Sequence, residues 1–381
     1  MDDLKRGGLP LVSVVVPAYQ AEATIRATLA SVVAQTYPNL QIVVVDDGSR
    51  DRTADIAAEF AAADPRVTVI RRANGGASAA RNTGIAASSG EFIAPIDADD
   101  IWHPRRVEAH VRALRNAGPE VALAYSPYRL IDRDDRIIRS YRRYDLSGQV
   151  VHRLPWFNMI ANGSGFTVRR SAAEEVGGFQ DWLRDESLEG NEDLYFQIEV
   201  ATRHHFVAVP EYLVGYRMVE GSISDNHRRM WTSRARTHQV ALRRYPALRN
   251  LPYQISSMPF VRNLFSLDIR RKGVGAALRQ ALLWTGRFPL TPIALPLLTL
   301  ASTWRKLARI APEADPAPEL VGKAFLDVDP AVGRWFEPTG LERLFGGYLE
   351  RLDASYEPRS EAAGPRLAIE PMIGRKHPAP Q

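Results

Sequence analysis

Two aspartates, Asp97 and Asp99, close the apolar run Glu91-Phe92-Ile93-Ala94-Pro95-Ile96. On an extended backbone, residues spaced i, i+2 project to one side, so the spacing predicts two carboxylates facing one point. Anions held that close repel unless a positive charge lies between them. A hard divalent cation carrying phosphate oxygens meets that demand, because Mg²⁺ and Mn²⁺ centres use one or two carboxylates together with phosphate. An Asp-rich turn that merely ends a strand or caps the next helix has the same composition. The surrounding segments must decide between the two. A second acidic pair, Glu192-Asp193, follows Glu189-Gly190-Asn191 and opens what reads as a helix from Leu194. Acids in a first helical turn are common, since the helix dipole alone favours them.

The elements that position these residues alternate. Val12–Val16 is a β-branched run expected to be a buried strand stopped by Pro17. Ile25, Leu29, Val32 and Val33 then recur at helical spacing up to the Tyr37-Pro38-Asn39 break. Gln41–Val45 reads as a second strand ending in Asp46-Asp47-Gly48-Ser49, with Asp51 as N-cap of an Ala-rich helix to about Ala62. Val67–Ile70 is a third strand, followed by Asn74-Gly75-Gly76 and a helix from about Ala77 to Ser88. Strand four leads into Asp97-Ala98-Asp99. Alternation of this length implies a parallel sheet with helices on both faces. Ligands of such sheets sit outside the carboxyl ends of the strands. Pro17-Ala18-Tyr19, Asp46-Asp47, Asn74-Gly75-Gly76 and Asp97-Ala98-Asp99 all fall on that rim.

Taken in order, Ser13–Tyr19, Val43–Ser49, Ala79-Ala80-Arg81-Asn82-Thr83-Gly84, Asp97–Asp100, Val176-Gly177-Gly178-Phe179 and Glu192-Asp193 resemble the family 2 glycosyltransferases. The likeness spans roughly residues 10–225. It implies the GT-A form of the α/β class: a Rossmann-like nucleotide-binding half and an acceptor-binding half around a mixed, mostly parallel sheet, here with a helical C-terminal extension. It further implies inverting transfer of one sugar from a nucleoside-diphosphate donor to a glycan or lipid-linked acceptor of the bacterial cell envelope, assisted by Mn²⁺ or Mg²⁺. A nucleotidyltransferase of similar layering and a non-catalytic nucleotide-sugar-binding module are the alternatives. Nucleotidyltransferases usually open with a Gly-rich loop and Arg or Lys after strand one, where this chain has Pro17-Ala18-Tyr19-Gln20. The Gln-x-x-Arg-Trp signature of processive members is missing around Arg228-Arg229-Met230-Trp231, which favours addition of a single sugar.

By the same resemblance, Pro17, Ala18 and Tyr19 line the base of the nucleotide, and Asp47 accepts from the base imide, with Asp46 as its substitute. Asn74 belongs to the same pocket. Arg81, conspicuous on a helix of small residues, suits a diphosphate or the base carbonyl, or pairs with a rim carboxylate. Asp97 and Ala98 lie by the ribose, with Asp97 also near the metal, and Asp99 is the likelier direct metal ligand. Asp100 would point away as a structural group or cap. Asp193 is expected as the base that takes the acceptor proton, with Glu192 orienting the acceptor or a loop. Arg217 and His227 are candidate phosphate contacts on a lid with Gly221–Ser224. Trp156, Phe157, Phe179 and Trp182 offer either a sugar platform or core, and core is the commoner fate of an aromatic.

Expected boundaries are a catalytic domain over 1–230 (donor half 10–100, acceptor half 101–230), a helical extension over 231–311, and a linker, short helix and tail over 312–381. Residues 127–145 read as a hairpin or mobile loop, 312–319 as linker, and 341–352 as an amphipathic helix. The chain has 381 residues, net charge +5 and no cysteine, which excludes disulfides and thiolate chemistry and fits a cytoplasmic protein. The N-terminus does not read as a signal peptide. Basic density in 227–244 and 262–287, and a charge-free segment from Phe288 to Trp304, suggest either peripheral contact with the inner face of the plasma membrane or a helix packed on the domain. Dispersed basic residues without a binding motif argue against nucleic acid.

Overall fold

The computed structural model describes residues 8–141, 144–218, 226–248, 250–287, 291–293, 295, 296, 299, 317–333 and 340–356. The first half alternates strictly: β1 (Val12–Ala18), α1 (Ile25–Val33), β2 (Leu40–Asp46), α2 (Thr53–Ala63), β3 (Val67–Arg71), α3 (Ala77–Ala86) and β4 (Phe92–Pro95). The second half continues with β5 (Ile101–Trp102), α4 (Arg106–Asn116), β6 (Val121–Tyr125), β7 (Tyr128–Ile131), β8 (Ile137–Ser140), α5 (Arg153–Phe157) and β9 (Phe166–Arg169). Then come α6 (Arg170–Glu175), α7 (Trp182–Asp185), α8 (Glu192–Ala201), β10 (His205–Ala208) and β11 (Val214–Arg217). Long helices α9 (His227–Arg244), α10 (Asn250–Lys272) and α11 (Val274–Arg287) precede a final α12 (Gly340–Ala354).

Among the described residues the strands form two sheets. The larger runs β10-β6-β9-β4-β1-β2-β3. Its β1, β2, β3 and β4 are parallel, as right-handed β-α-β crossovers demand. Only β9 runs antiparallel, between β4 and β6. The apolar runs of β1 and β2 are buried on both faces, so they carry no polar alternation. Pro17 does not stop β1. It pairs with Val45 in the ladder, past the last β4 pairing at Val15 and Pro95, where its missing N–H breaks no bond to β4. A smaller sheet, β5-β11-β7-β8, is built from strands of the second half. Residues 127–145 thus contribute a hairpin, β7 antiparallel to β8.

The core does not end at residue 230. Val240 and Ala241 of α9, Leu248 of the following connection and Tyr253 of α10 share one apolar cluster with Leu154, Phe166 and Phe196, and the Tyr253 hydroxyl donates to the Val151 carbonyl at 3.0 Å. The segment expected as linker is corrected at its end. Ala317, Leu320, Phe325 and Val328 are buried against Ile101, Ile131 and Ile137 of the smaller sheet, and Ile137 exchanges backbone bonds with Gly322 and Lys323. Helix α12 is latched by Asp353, which is buried and accepts from the His152 N–H at 2.7 Å and Arg153 Nε at 2.7 Å, with His152 Nδ1 at 3.1 Å. Residues 219–225 of the expected lid, and most of 288–304 including Trp304, lie outside the described residues.

Candidate functional site

Asp97–Asp100 is not a continuation of the strand. β4 ends at Pro95, and the Asp100 N–H donates to the Asp97 carbonyl at 3.1 Å, closing a turn. The two carboxylates are neighbours because the chain reverses, not because an extended backbone alternates. The turn is held from every side. The Ala98 carbonyl accepts from the Thr24 and Thr28 hydroxyls, both at 2.9 Å, and the Asp100 carbonyl from Thr28 at 2.8 Å. Ser164 donates its hydroxyl to Asp100 Oδ2 at 2.5 Å and accepts the Asp97 N–H at 3.0 Å. Asp100 is fully buried and structural, its other oxygen taking the Arg217 N–H at 2.9 Å.

Arg81 joins the two acidic motifs. It is buried, with Nη2 2.5 Å from Asp97 Oδ1 and Nη1 3.0 Å from Glu192 Oε1. Its guanidinium also lies 5.1 Å from the centre of the Phe179 ring. Burial alone would weaken its charge, but Asp97, Glu192 and Asp193 together hold it above its ordinary pKa. Asn82, the next residue on α3, clamps the Gly-Gly-Phe turn by donating to the Phe179 carbonyl at 2.7 Å and accepting its N–H at 2.8 Å. Gly178 has φ +71 there, and a Cβ on it would lie 2.4 Å from Asn82 Oδ1. Arg-Asn on α3 and Gly-Gly-Phe are therefore two halves of one joint, 97 residues apart in sequence.

The acid pair on α8 splits into two roles. Glu192 is engaged twice, by Arg81 and by the Gly190 N–H at 2.8 Å. Burial pushes its carboxyl up, but Arg81 outweighs that and holds it below the ordinary range. Asp193 accepts the Leu194 N–H at 2.8 Å. Burial, then the charge of Glu192, push its carboxyl up to about 7. One carboxylate is locked ionised and its neighbour is poised to take a proton near neutral pH.

On the rim at the carboxyl ends of β1 and β2, Asp47 is buried and accepts from the N–H groups of Gly75 (3.0 Å) and Gly76 (2.7 Å), which shapes the Asn74-Gly75-Gly76 loop. Asn74 donates to the Asp47 carbonyl at 3.1 Å and accepts from Arg184 of α7 at 2.9 Å. Asp46 instead takes the Ser49 N–H and Arg71 Nε. Pro17 and Ala18 belong to β1, the Ala18 carbonyl accepting the Asp47 N–H at 2.8 Å. Tyr19 is 53 % exposed at the strand end, free to pack on a ligand. Arg217 is buried. Its guanidinium faces the Asp99 carbonyl (2.7 Å), the Asp132 carbonyl (2.7 Å) and the Asp135 carboxylate, bracing the acidic turn from behind. Phe179 and Trp182 are core residues, while Trp156 and Phe157 are half-buried against Phe345 and Tyr144.

Three supporting residues had no role assigned from the sequence, although Gly163 and Ser164 lie in the stretch 162–170 that resembles the family's lead into the Gly-Gly-Phe turn. Gly163 approaches so closely that a Cβ there would stand 2.7 Å from Arg81 Nη2 and 2.9 Å from Asp97 Oδ2. Ser164 is the hub of the acidic turn. Arg106 is fully buried under the Trp102 ring and donates to the Ser164 carbonyl at 2.9 Å and the Phe166 carbonyl at 2.6 Å. In sequence it sits in Trp102-His103-Pro104-Arg105-Arg106, which looks like an ordinary basic surface.

Among the described residues no three His, Cys, Asp or Glu side chains converge as a metal cage. Asp97 and Asp99 nonetheless fit a cation that draws its remaining oxygens from phosphate and water. Burial and the adjacent Asp97 charge push the Asp99 carboxyl up to about 6, the mark of a carboxylate short of positive charge. Arg81 already serves Asp97, which leaves Asp99 the freer donor.

Residues 13–177 match the model described as "Glycosyl transferase family 2". An uncharacterized glycosyltransferase of Rickettsia typhi is 28 % identical over 178 residues, covering 46 % of this chain and 55 % of that protein. The putative glycosyltransferase EpsH of Bacillus subtilis is 45 % identical over 119 residues, 31 % of this chain and 34 % of EpsH. The chain thus spans about half the length of the first relative and a third of the second. Staphylococcus aureus TarS 1–349, solved in complex with UDP-GlcNAc, superposes with a TM-score of 0.53 at 17 % identity, over 68 % of this chain and 74 % of that one. That likeness establishes a shared fold.

Proposed function

We propose that this chain, which carries a family 2 glycosyltransferase domain over residues 13–177, moves one sugar from a nucleoside-diphosphate donor to a hydroxyl of a glycan or lipid-linked acceptor, with inversion at the sugar carbon. The observation that carries this reading is Arg81, which ties the Asp97 turn to Glu192 and so brings a donor rim and a raised-pKa carboxylate into one cluster.

In this reading Tyr19 packs on the base, and Asp47 holds the 74–76 loop against the nucleotide. Asp99, with Asp97, would hold Mn²⁺ or Mg²⁺. Such an ion, when bound, neutralises charge developing on the departing diphosphate. Asp193 accepts the proton of the acceptor hydroxyl as that oxygen attacks the sugar carbon. Glu192 stays ionised on Arg81 and keeps the Asp193 pKa high. TarS, of the same fold, was solved with UDP-GlcNAc, which makes uridine nucleotides the first to try.

Calorimetric titration with UDP, GDP and dTDP, each with Mn²⁺ and again with EDTA, tests the donor site. One nucleotide that binds only with metal is the expected result. Failure of all three to bind would sink the donor assignment, and binding indifferent to EDTA would remove the metal role of Asp99.

A further inference from the structure

Helices α10 and α11 meet at Gly273, which turns the chain with φ +81. The corner they form is unlike the rest of the surface. On α11, Val274, Leu278 and Leu282 stand at i, i+4 and i+8 and are 58 %, 53 % and 72 % exposed. Ala277 of the same helix is fully buried, so the helix is docked on its inner side and shows an apolar stripe on the outer. Ile269, 38 % exposed, extends the stripe across the corner. Leucine exposure of this extent at helical spacing is not explained by packing within the chain.

The charges around the stripe have one sign. Arg270, Arg271 and Lys272 close α10, and Arg279 flanks the stripe on α11; all four are exposed. No ion pair to any of them occurs among the described residues. The last acid before the corner, Asp268, is buried and already paired with Arg228. From Ile269 to Pro312 the sequence contains no Asp or Glu and eight Lys or Arg residues. Among the described residues no helix is long and apolar enough to cross a membrane.

We infer that the α10–α11 corner is an interfacial docking face for an anionic lipid bilayer, with Val274, Leu278 and Leu282 entering the acyl boundary and Arg270, Arg271, Lys272 and Arg279 meeting the head groups. An apolar stripe on one helix face, rimmed by cations alone, is the pattern of an element lying in the membrane plane. Each basic residue near such a surface adds attraction that salt screens. A face for a second copy of the chain would bring these four cations against four more. The inference goes beyond the transferase reading and stands on a surface that shares no residue with the candidate site.

Flotation of the purified full chain tests it, with vesicles of phosphatidylcholine alone or mixed with phosphatidylglycerol, at low and high salt. Wild type is expected to float with the anionic vesicles only, and to be released by salt. Leu278→Glu/Leu282→Glu should abolish flotation. Arg270→Gln/Arg271→Gln/Lys272→Gln should weaken partitioning on the order of a hundredfold. Far-UV circular dichroism should be unchanged in both variants, since the substituted side chains are exposed. Absence of wild-type flotation with either vesicle, or flotation that survives Leu278→Glu/Leu282→Glu, overturns the inference. So does a dimer in sedimentation velocity that these substitutions dissolve while wild type ignores vesicles.

Discussion

Replacing Asp193 by Asn separates catalysis from stability. The substitution keeps the shape and the acceptor for the Leu194 N–H but removes the titrating proton site. In the folded chain the Asp193 carboxyl holds its proton to about pH 7, against 3.8 for the ordinary group. At 1.36 kcal/mol per pH unit, ionising it in place costs up to ~4 kcal/mol, and partial access to solvent trims this to ~2–4 kcal/mol. The sign follows from the raised value. Wild type loses this stability as pH rises from about 4 through about 7, while the Asn variant does not. We therefore expect Asp193→Asn to melt close to wild type below about pH 4, to pull ahead as pH rises from there, and to exceed it by ~2–4 kcal/mol at pH 8. Turnover should fall in the opposite sense, by about a hundred- to ten-thousandfold, with nucleotide affinity retained. Wild-type kcat/KM should drop roughly tenfold per pH unit below about 7. Thermal denaturation across pH, paired with a donor-consumption assay, reads both. A variant with wild-type turnover, or a stability gap that ignores pH, would refute the assignment of Asp193 as a half-buried base with a raised pKa.

Other substitutions report on the frame around it. Arg81→Ala leaves Asp97 and Glu192 facing each other without their shared cation and should cost ~3–5 kcal/mol in urea denaturation; an unchanged midpoint would mean the pair is solvated. Gly163→Ala places a methyl between Arg81 and Asp97 and should weaken metal-dependent nucleotide binding about tenfold or more, at a stability cost of ~1–3 kcal/mol; wild-type affinity by calorimetry would count against the tight approach of that loop. Asp353→Ala strands His152 and Arg153 in the interior and should release α12, seen as faster hydrogen exchange over 340–354 with little change over α3. Protection that persists across α12 would show that its apolar contacts alone suffice.

The division between what was legible and what was not follows the range of the forces involved. Burial on both faces writes itself into a strand as an unbroken apolar run, so β1, β2 and β4 were readable, and alternation with helices implied the parallel rim where Tyr19, Asp47, Asn74 and Asp97 stand. The acidic pairs were visible as residue types at suggestive spacings. Their geometry was not. Whether Asp97 and Asp99 share an extended strand or a turn depends on Thr24, Thr28 and Ser164, which are distant in sequence and close only once the helices pack. The different duties of adjacent Glu192 and Asp193 come from one guanidinium 111 residues upstream. The core contributions of 240–253 and 317–328 likewise required tertiary structure, because short apolar stretches among Pro, Ala and charge do not say which surface they will cover. Sequence determined the elements and the chemical inventory, since local backbone preference and burial pattern act within a few residues. Only the fold decided which carboxylate stays ionised and which holds a proton, because pKa is set by burial and by charges brought near from elsewhere in the chain.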